Sequence, residues 1–281
     1  MKTLDGKVVV ITGAGSGIGR AVALNCARRG SLLALSDVNE AGLAVTVELA
    51  KQAGSPEVRA DRLDVSDRDA MSRYALDVVQ QFGRVNVIVN NAGVSLTGDL
   101  TDLEYADIDW IVGVNWWGVL YGTKEFLPHL IASGDGHVVN LSSLFGLISM
   151  PGQSIYNATK YAVRGMSEAL REEMLIAGHP VGVTSVHPGG IKTDIVRNSR
   201  VSAKEDKEAT SELFDTKLAK MTPDRAAEII VNGILKNRAR VLVGLDAHAM
   251  HHFAKLLGSR YQDVIAKAQP KVVPPKVTVH E

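Results

Sequence analysis

The sequence predicts a single-domain α/β fold: a doubly wound parallel sheet of about seven strands with helices on both faces. Three observations predict it. The strand-like runs are apolar throughout, as strands covered on both faces must be. They alternate with longer segments of helical periodicity, the rhythm of successive βαβ units. The first strand-like run passes straight into a glycine-rich loop and then a helix. Right-handed crossovers complete the doubly wound arrangement.

The elements follow in order. Residues 7–12, Lys-Val-Val-Val-Ile-Thr, form the first strand. A helix over 17–30 carries Ile18, Ala21, Val22, Leu24 and Ala27 as its apolar positions. A second strand covers 31–36, and a second helix covers 39–53 and ends near Gly54. A third strand at 58–63 leads to a helix at 67–82 whose acidic start suits a helix N-terminus. The fourth strand is 85–89. Residues 102–131 read as one long helix, which Pro128 is expected to kink or end. A strand at 136–141, a helix at 154–177 and a strand at 181–186 come next. Thr222 as N-cap and Pro223 just inside open a helix over 223–237, and 240–243 is a short last strand. Two segments break the rhythm. The polar stretch 192–220 reads as a mobile excursion, and the tail from Ala268, with Pro270, Pro274 and Pro275, as extended or disordered.

Composition narrows the function classes. Of 281 residues 46% are hydrophobic and 22% charged, enough to bury a sizeable core. Lys plus Arg and Asp plus Glu both number 31, so the formal charge is zero and nothing favours nucleic acid or an anionic membrane. The single cysteine, Cys26, excludes an internal disulfide. The first apolar run, 8–11, is too short for a secretory signal or a membrane span, so a reducing cytoplasmic location is expected.

The loop reads Thr12-Gly13-Ala14-Gly15-Ser16-Gly17-Ile18-Gly19. Glycines let backbone approach a phosphate with no Cβ in the way, and the following helix offers free N–H groups to a pyrophosphate. The spacing is T-G-x-x-x-G-x-G. Ile18 stands where G-x-G-x-x-G needs its third glycine, and no Lys follows as in a nucleoside-triphosphate loop. Asp37 ends the second strand, 20 residues after Gly17. A carboxylate there can accept from adenosine ribose hydroxyls and repel a 2′-phosphate, although a turn or N-cap aspartate is the plainer reading. No Lys or Arg lies between Gly13 and Gly19, and Val38 follows the Asp, so NAD is favoured over NADP.

Tyr156 and Lys160 lie four apart near a helix start and so share one face. A phenol is a poor acid or base near neutrality. A neighbouring ammonium, aided by a cationic nicotinamide ring, is expected to lower its pKa. Ser143 falls just past a strand end, at the carboxyl edge of the sheet, where its hydroxyl could hold a substrate oxygen.

On the glycine loop and on Ser143, Tyr156 and Lys160 the sequence resembles the short-chain dehydrogenase/reductase family, a single-domain Rossmann-type fold. Further matches are Asn90-Asn91-Ala92-Gly93 after the fourth strand, Asn115 in the long helix, Asp64-Val65, and Pro188-Gly189 with Thr193. The resemblance runs from about Lys7 to Val243. It implies Tyr156 as general acid/base, Ser143 binding the substrate oxygen, Lys160 on the nicotinamide ribose and Asn115 holding a water in a proton relay. It implies cofactor contacts from Gly13, Gly15, Ser16, Gly17, Ile18, Gly19, Asp37, Asp64, Val65, Asn91, Ala92, Gly93, Pro188, Gly189 and Thr193. The Tyr-to-Lys and glycine spacings, and the length, differ from those of enoyl reductases and sugar-nucleotide epimerases. A homodimer or homotetramer, through the helices starting near Asp102 and Ser154, is likewise implied.

The expected organisation is a dinucleotide-binding catalytic domain over 1–245 with a lid at about 190–220, then a C-terminal extension over 246–281. The extension's Phe253, Leu256, Leu257, Tyr261 and Ile265 recur at helical spacing; docking on the body, capping the pocket and contacting a subunit all stay open. The pocket candidates are Ser143, Phe145, Gln153 and Tyr156, with Val94, Leu96, Leu144, Leu147, Met150, Ile195 and Val196 around them. Most are apolar, so a hydrophobic secondary alcohol or ketone is expected. His248, His251 and His252 lack a completing ligand, so no metal is expected. Trp110, Trp116 and Trp117 read as packing or subunit contacts, and His187 as a structural strand-end residue. The competing functional class is a non-catalytic NAD-binding regulator, which need not keep Asn115, Ser143, Tyr156 and Lys160 together.

Overall fold

In the computed structural model, residues 1–268 are described. Seven parallel strands lie in the order β3-β2-β1-β4-β6-β7-β9: β1 Val8–Thr12, β2 Leu32–Asp37, β3 Val58–Arg62, β4 Val87–Asn90, β6 Gly136–Leu141, β7 Val181–Pro188 and β9 Arg240–Val243. The order reverses between β1 and β4, the crevice position where doubly wound sheets bind ligands. All residues of β1, β4 and β6 are buried, because helices cover both faces. One face packs α1 (Gly17–Ala27) and α8 (Pro223–Leu235) through Val22, Ile230 and Ile234. The other packs α3 (Arg68–Phe82), α5 (Gly118–Ala132) and α6 (Ser154–Ile176) through Met71, Phe126 and Leu170.

Local signals set the helix ends. Asp67 accepts from Ala70 N at 2.9 Å, and left-handed Gly83 (φ 72) closes α3. Asn39 caps α2 (Glu40–Gln52) and Thr222 caps α8.

Two expectations need correction, and one alternative left open is decided. The long helix does not begin at 102. A short 3₁₀ turn, Leu100–Asp102, precedes α4 (Tyr105–Val112), a π turn (Gly113–Trp117) joins it to α5, and Pro128 does not end α5, which runs on to Ala132. Phe126 and Leu130, fully buried on either side of the proline, hold that turn against the sheet. The stretch 192–220 is not featureless. Its β8 (Arg200–Val201) pairs in parallel with β5 (Leu96–Thr97), and α7 (Lys207–Leu213) runs into a π turn, Phe214–Leu218. Its charges find partners off the segment: Arg200 on Asp107 at 2.8 Å and Lys204 on Asp102 at 2.7 Å. The extension docks on the body. In it, α9 (Leu245–Leu257) and α10 (Tyr261–Ala268) bury Ala247, Ala254, Tyr261 and Ile265 against Leu144 and Ile148. Leu256, expected on the apolar stripe, is 87% exposed. The expected tail, with Pro270, Pro274 and Pro275, lies outside the described residues. No helix among those described is long and apolar enough to cross a membrane.

Candidate active site

The loop after β1 leaves room where side chains would fill it. Gly13 has φ 65, and a Cβ there would lie 2.7 Å from Ala92 Cα. A Cβ on Gly19 would overlap the Gly13 carbonyl and the Asn91 amide. No side chain caps α1 at Ser16, so its first-turn N–H groups are left for a ligand. Asp37 faces this loop: its carboxylate accepts from Gly15 N at 2.7 Å and Asn39 N at 2.9 Å. The bare backbone and the uncapped helix start make a cradle that a phosphate group fits.

The end of β4 braces that loop. Asn91 donates to the Thr12 carbonyl at 2.9 Å and the Gly13 carbonyl at 3.0 Å. The Thr12 hydroxyl accepts from Asn91 N and Ala92 N, both at 3.1 Å. Gly93 lies beside the putting-together of the next groups: a Cβ there would come 3.3 Å from Asn115 Oδ1 and 3.4 Å from Lys160 Nζ. Asp64 closes an Asx turn on Ser66, and Val65 packs against Gly118. From the other side, Thr193 reaches over the loop, 3.0 Å from where a Gly17 Cβ would stand.

Ser143 follows β6 and accepts from Phe145 N at 3.1 Å. Its hydroxyl lies close enough to the Tyr156 phenol to pull that group's pKa partly down. Buried His187 fixes the Ser143 backbone. Nδ1 must donate to the Ser143 carbonyl at 2.8 Å, which leaves Nε2 to accept from Ser185 at 2.9 Å. Lys160, one turn along α6, is buried with its Nζ 5.6 Å from the Tyr156 ring centroid, donating to the Leu141 carbonyl at 3.2 Å. Asn115 sits in the π turn, a widening that recurs at functional sites. Its amide makes both bonds to Val94: N to Oδ1 at 2.8 Å and Nδ2 to O at 2.9 Å.

Burial governs the two titrating groups. It pushes the Lys160 ammonium down to about 8. It pushes the Tyr156 phenol up, with the nearby Ser143 hydroxyl pulling partly back. Among the chain's own residues the desolvation of Tyr156 outweighs its neighbours; the expected lowering draws also on the cationic nicotinamide ring.

Residues 7–204 match the family model described as short chain dehydrogenase. The chain belongs to this family. A relative from Mycobacterium tuberculosis that bears the name of an oxidoreductase, SadH, is 55% identical over 98% of this chain and 99% of its own. A 3-oxoacyl-[acyl-carrier-protein] reductase from Thermotoga maritima, FabG, is 37% identical over 72% of this chain and 81% of its own. A solved short-chain dehydrogenase/reductase from Burkholderia phymatum, in complex with NAD, superimposes with a TM-score of 0.84 at 31% identity, covering 100% of both chains. This chain is thus an oxidoreductase of the short-chain dehydrogenase family, with a fold that fits a nicotinamide cofactor.

The walls around Tyr156 in this short-chain dehydrogenase are apolar. Leu96 and Ile111 are buried with it, and Val94, Leu103, Trp110 and Phe145 pack against them. Phe145 meets the Tyr156 ring edge-on at 6.1 Å. Trp110, read from sequence as a packing or subunit residue, packs here and carries the Arg200 guanidinium over its face at 4.1 Å. Not every pocket candidate converges. Gln153 is tied to Thr97 Oγ1 at 2.7 Å, Leu144 and Met150 join the cluster under α9 and α10, and Ile195 and Val196 are half-buried outside both. Sequence reasoning also missed Arg20, whose guanidinium donates to the Gly15 carbonyl, the Gly42 carbonyl at 3.0 Å and Thr46 at 2.9 Å. Its one signal is its place directly after Gly19, too common a helix position to stand out.

Proposed function

We propose that this chain is an NAD(H)-dependent dehydrogenase/reductase acting on the CH–OH or carbonyl group of a hydrophobic secondary alcohol or ketone. The observation that carries the reading is the buried Lys160 ammonium 5.6 Å from the Tyr156 ring, bonded to the Leu141 carbonyl just before Ser143 and lying beside Gly93 next to the glycine loop. Bound nicotinamide supplies the hydride acceptor or donor. Ser143 donates to the substrate oxygen and orients it. Tyr156 passes its hydroxyl proton to that oxygen in reduction and takes one back in oxidation. The Lys160 ammonium stabilises the phenolate formed in reduction, and Asn115 holds the Val94 backbone beside the substrate.

Asp37 accepts from the adenosine ribose hydroxyls and disfavours a 2′-phosphate, which supports NAD over NADP. Arg20, beside the same loop, spends its Nε and Nη2 donors on Thr46 and on the Gly15 and Gly42 carbonyls. The aliphatic and aromatic walls support an apolar substrate, and the reductase name of the Thermotoga maritima relative is in keeping with carbonyl chemistry. Exposed Tyr105, Trp117 and Tyr161 on α4, the π turn and α6 support assembly as a homodimer or homotetramer. With one cysteine, Cys26, the chain forms no internal disulfide, which is in keeping with a reducing cytoplasm.

The test is an alcohol and ketone panel assayed with NAD(H) and NADP(H). Aliphatic or aromatic secondary alcohols with NAD are expected to be turned over best. Preferred turnover of small hydrophilic diols would count against the substrate class. In Tyr156→Phe, kcat is expected to fall by at least about 100-fold while NADH binding persists. Unchanged turnover in that variant overturns the mechanism.

A further inference from the structure

The turn after β7 is held from three sides. Gly189 N donates to the Val243 carbonyl at 2.9 Å, and the Gly190 carbonyl accepts from Lys220 N at 3.0 Å and Met221 N at 3.3 Å. The remaining donor, Gly190 N, goes to the Asp246 carboxylate at 2.6 Å. Asp246 stands in the first turn of α9, beyond the 7–204 that match the family model. Its carboxylate lies in a notch between glycines. A Cβ on Gly189 or on Gly244 (φ 111) would overlap its oxygens. A second bond from the extension reaches the opposite loop, where Tyr261 Oη accepts from Ser149 N at 2.9 Å. The two helices of the extension therefore grip the loop after β6, which carries Ser143, and the turn after β7.

We propose that Asp246 is a positioning residue that sets the Gly189–Gly190 turn for the nicotinamide half of the bound dinucleotide. The proposal rests on the functional reading above. Thr193, a few residues past this turn, already overhangs Gly17 of the phosphate loop, so the turn and the loop share one cleft. Reach is what the notch selects. Asn keeps an acceptor oxygen at the same distance without the charge. Glu keeps the charge, but its extra methylene meets the glycine walls and pushes the turn away.

The test measures equilibrium binding of NADH and of ADP-ribose, which lacks the nicotinamide ring, to wild type, Asp246→Asn, Asp246→Glu and Tyr261→Phe. D246N is expected to bind NADH within about three-fold of wild type, and D246E about ten-fold more weakly, the worth of one hydrogen bond. All variants are expected to bind ADP-ribose within about two-fold of wild type, and Y261F to bind NADH equally unchanged, since its bond serves the other loop. The proposal is overturned if D246E binds NADH better than D246N, if ADP-ribose affinity falls in step with NADH, or if Y261F weakens NADH as D246E does. A wild-type chain that binds neither nucleotide sinks the functional reading as well; the wrong order among variants of a binding-competent chain sinks this proposal alone.

Discussion

Lys160 shows at the scale of one residue how function opposes stability. Its ammonium is buried and its pKa is pushed from 10.5 down to about 8. Below pH 8 it is charged in the folded and unfolded chains alike, and the fold bears the full cost of the buried charge. Between about 8 and 10.5 the folded chain releases the proton first, so stability rises with pH. Lys160→Met is therefore expected to raise the thermal midpoint at pH 7, by up to about 3 kcal/mol of stability, with the gain shrinking toward pH 10. A midpoint that drops at pH 7 would show that the Leu141 hydrogen bond matters more than the desolvated charge. The same titration bears on the proposed activity. NADH affinity of the wild type is expected to weaken as pH rises through about 8, and that of Lys160→Met to be flat over this range. The Tyr-x-x-x-Lys spacing was legible in the sequence, but the direction of the Tyr156 shift was not, because burial is set by Phe145, Leu96 and Ile111, which the spacing does not contain.

At the scale of elements, the π turn is the informative departure from pattern. A run of helical periodicity over 102–131 gives no sign that Gly113–Trp117 widens, yet this turn holds buried Asn115 against both polar groups of Val94. Asn115→Leu leaves a buried N–H and C=O without partners and is expected to cost at least about 2 kcal/mol in urea-unfolding measurements. A loss below about 0.5 kcal/mol would mean that water replaces both bonds. The segment 192–220 is a second case. Its polar composition reads as a mobile excursion, and exposed ion pairs such as Lys204–Asp102 contribute little each. The β5–β8 pairing and the Trp110–Arg200 stack give it a place on α4 instead.

The whole molecule carries its acid sensitivity in two buried histidines. His137 bonds Thr184 at 2.8 Å, and burial pulls its pKa down to about 3; His187 holds Ser143 and is pulled down to about 4. The unfolded chain takes up protons as pH falls through about 6.5 and the folded chain does not. Stability is therefore intact above pH 7 and is lost progressively down to about pH 4 for His187 and about pH 3 for His137, with about 2 kcal/mol lost per histidine by pH 5. Asp135 and Glu168, both held below the ordinary carboxylate range, add losses only at lower pH. Thermal midpoints at pH 7 and pH 5 check this: replacing both histidines by Gln is expected to flatten the difference. An equally steep fall in that variant would place the acid sensitivity elsewhere.

What the sequence by itself determined is what acts through near neighbours along the chain. Apolar strands in the order of a doubly wound sheet, the glycine loop at the end of the first, the caps Asp67 and Thr222, and one helix face bearing Tyr156 and Lys160 all follow from local geometry. Tertiary structure alone decided which distant groups meet. Asp246 is 56 residues from Gly190, Tyr261 is 112 from Ser149, and His187 is 44 from Ser143. It also decided which titrating groups lose their water. Side-chain pairing across the sheet, and the desolvation that follows, depend on packing in three dimensions, and no periodicity in a one-dimensional string records either.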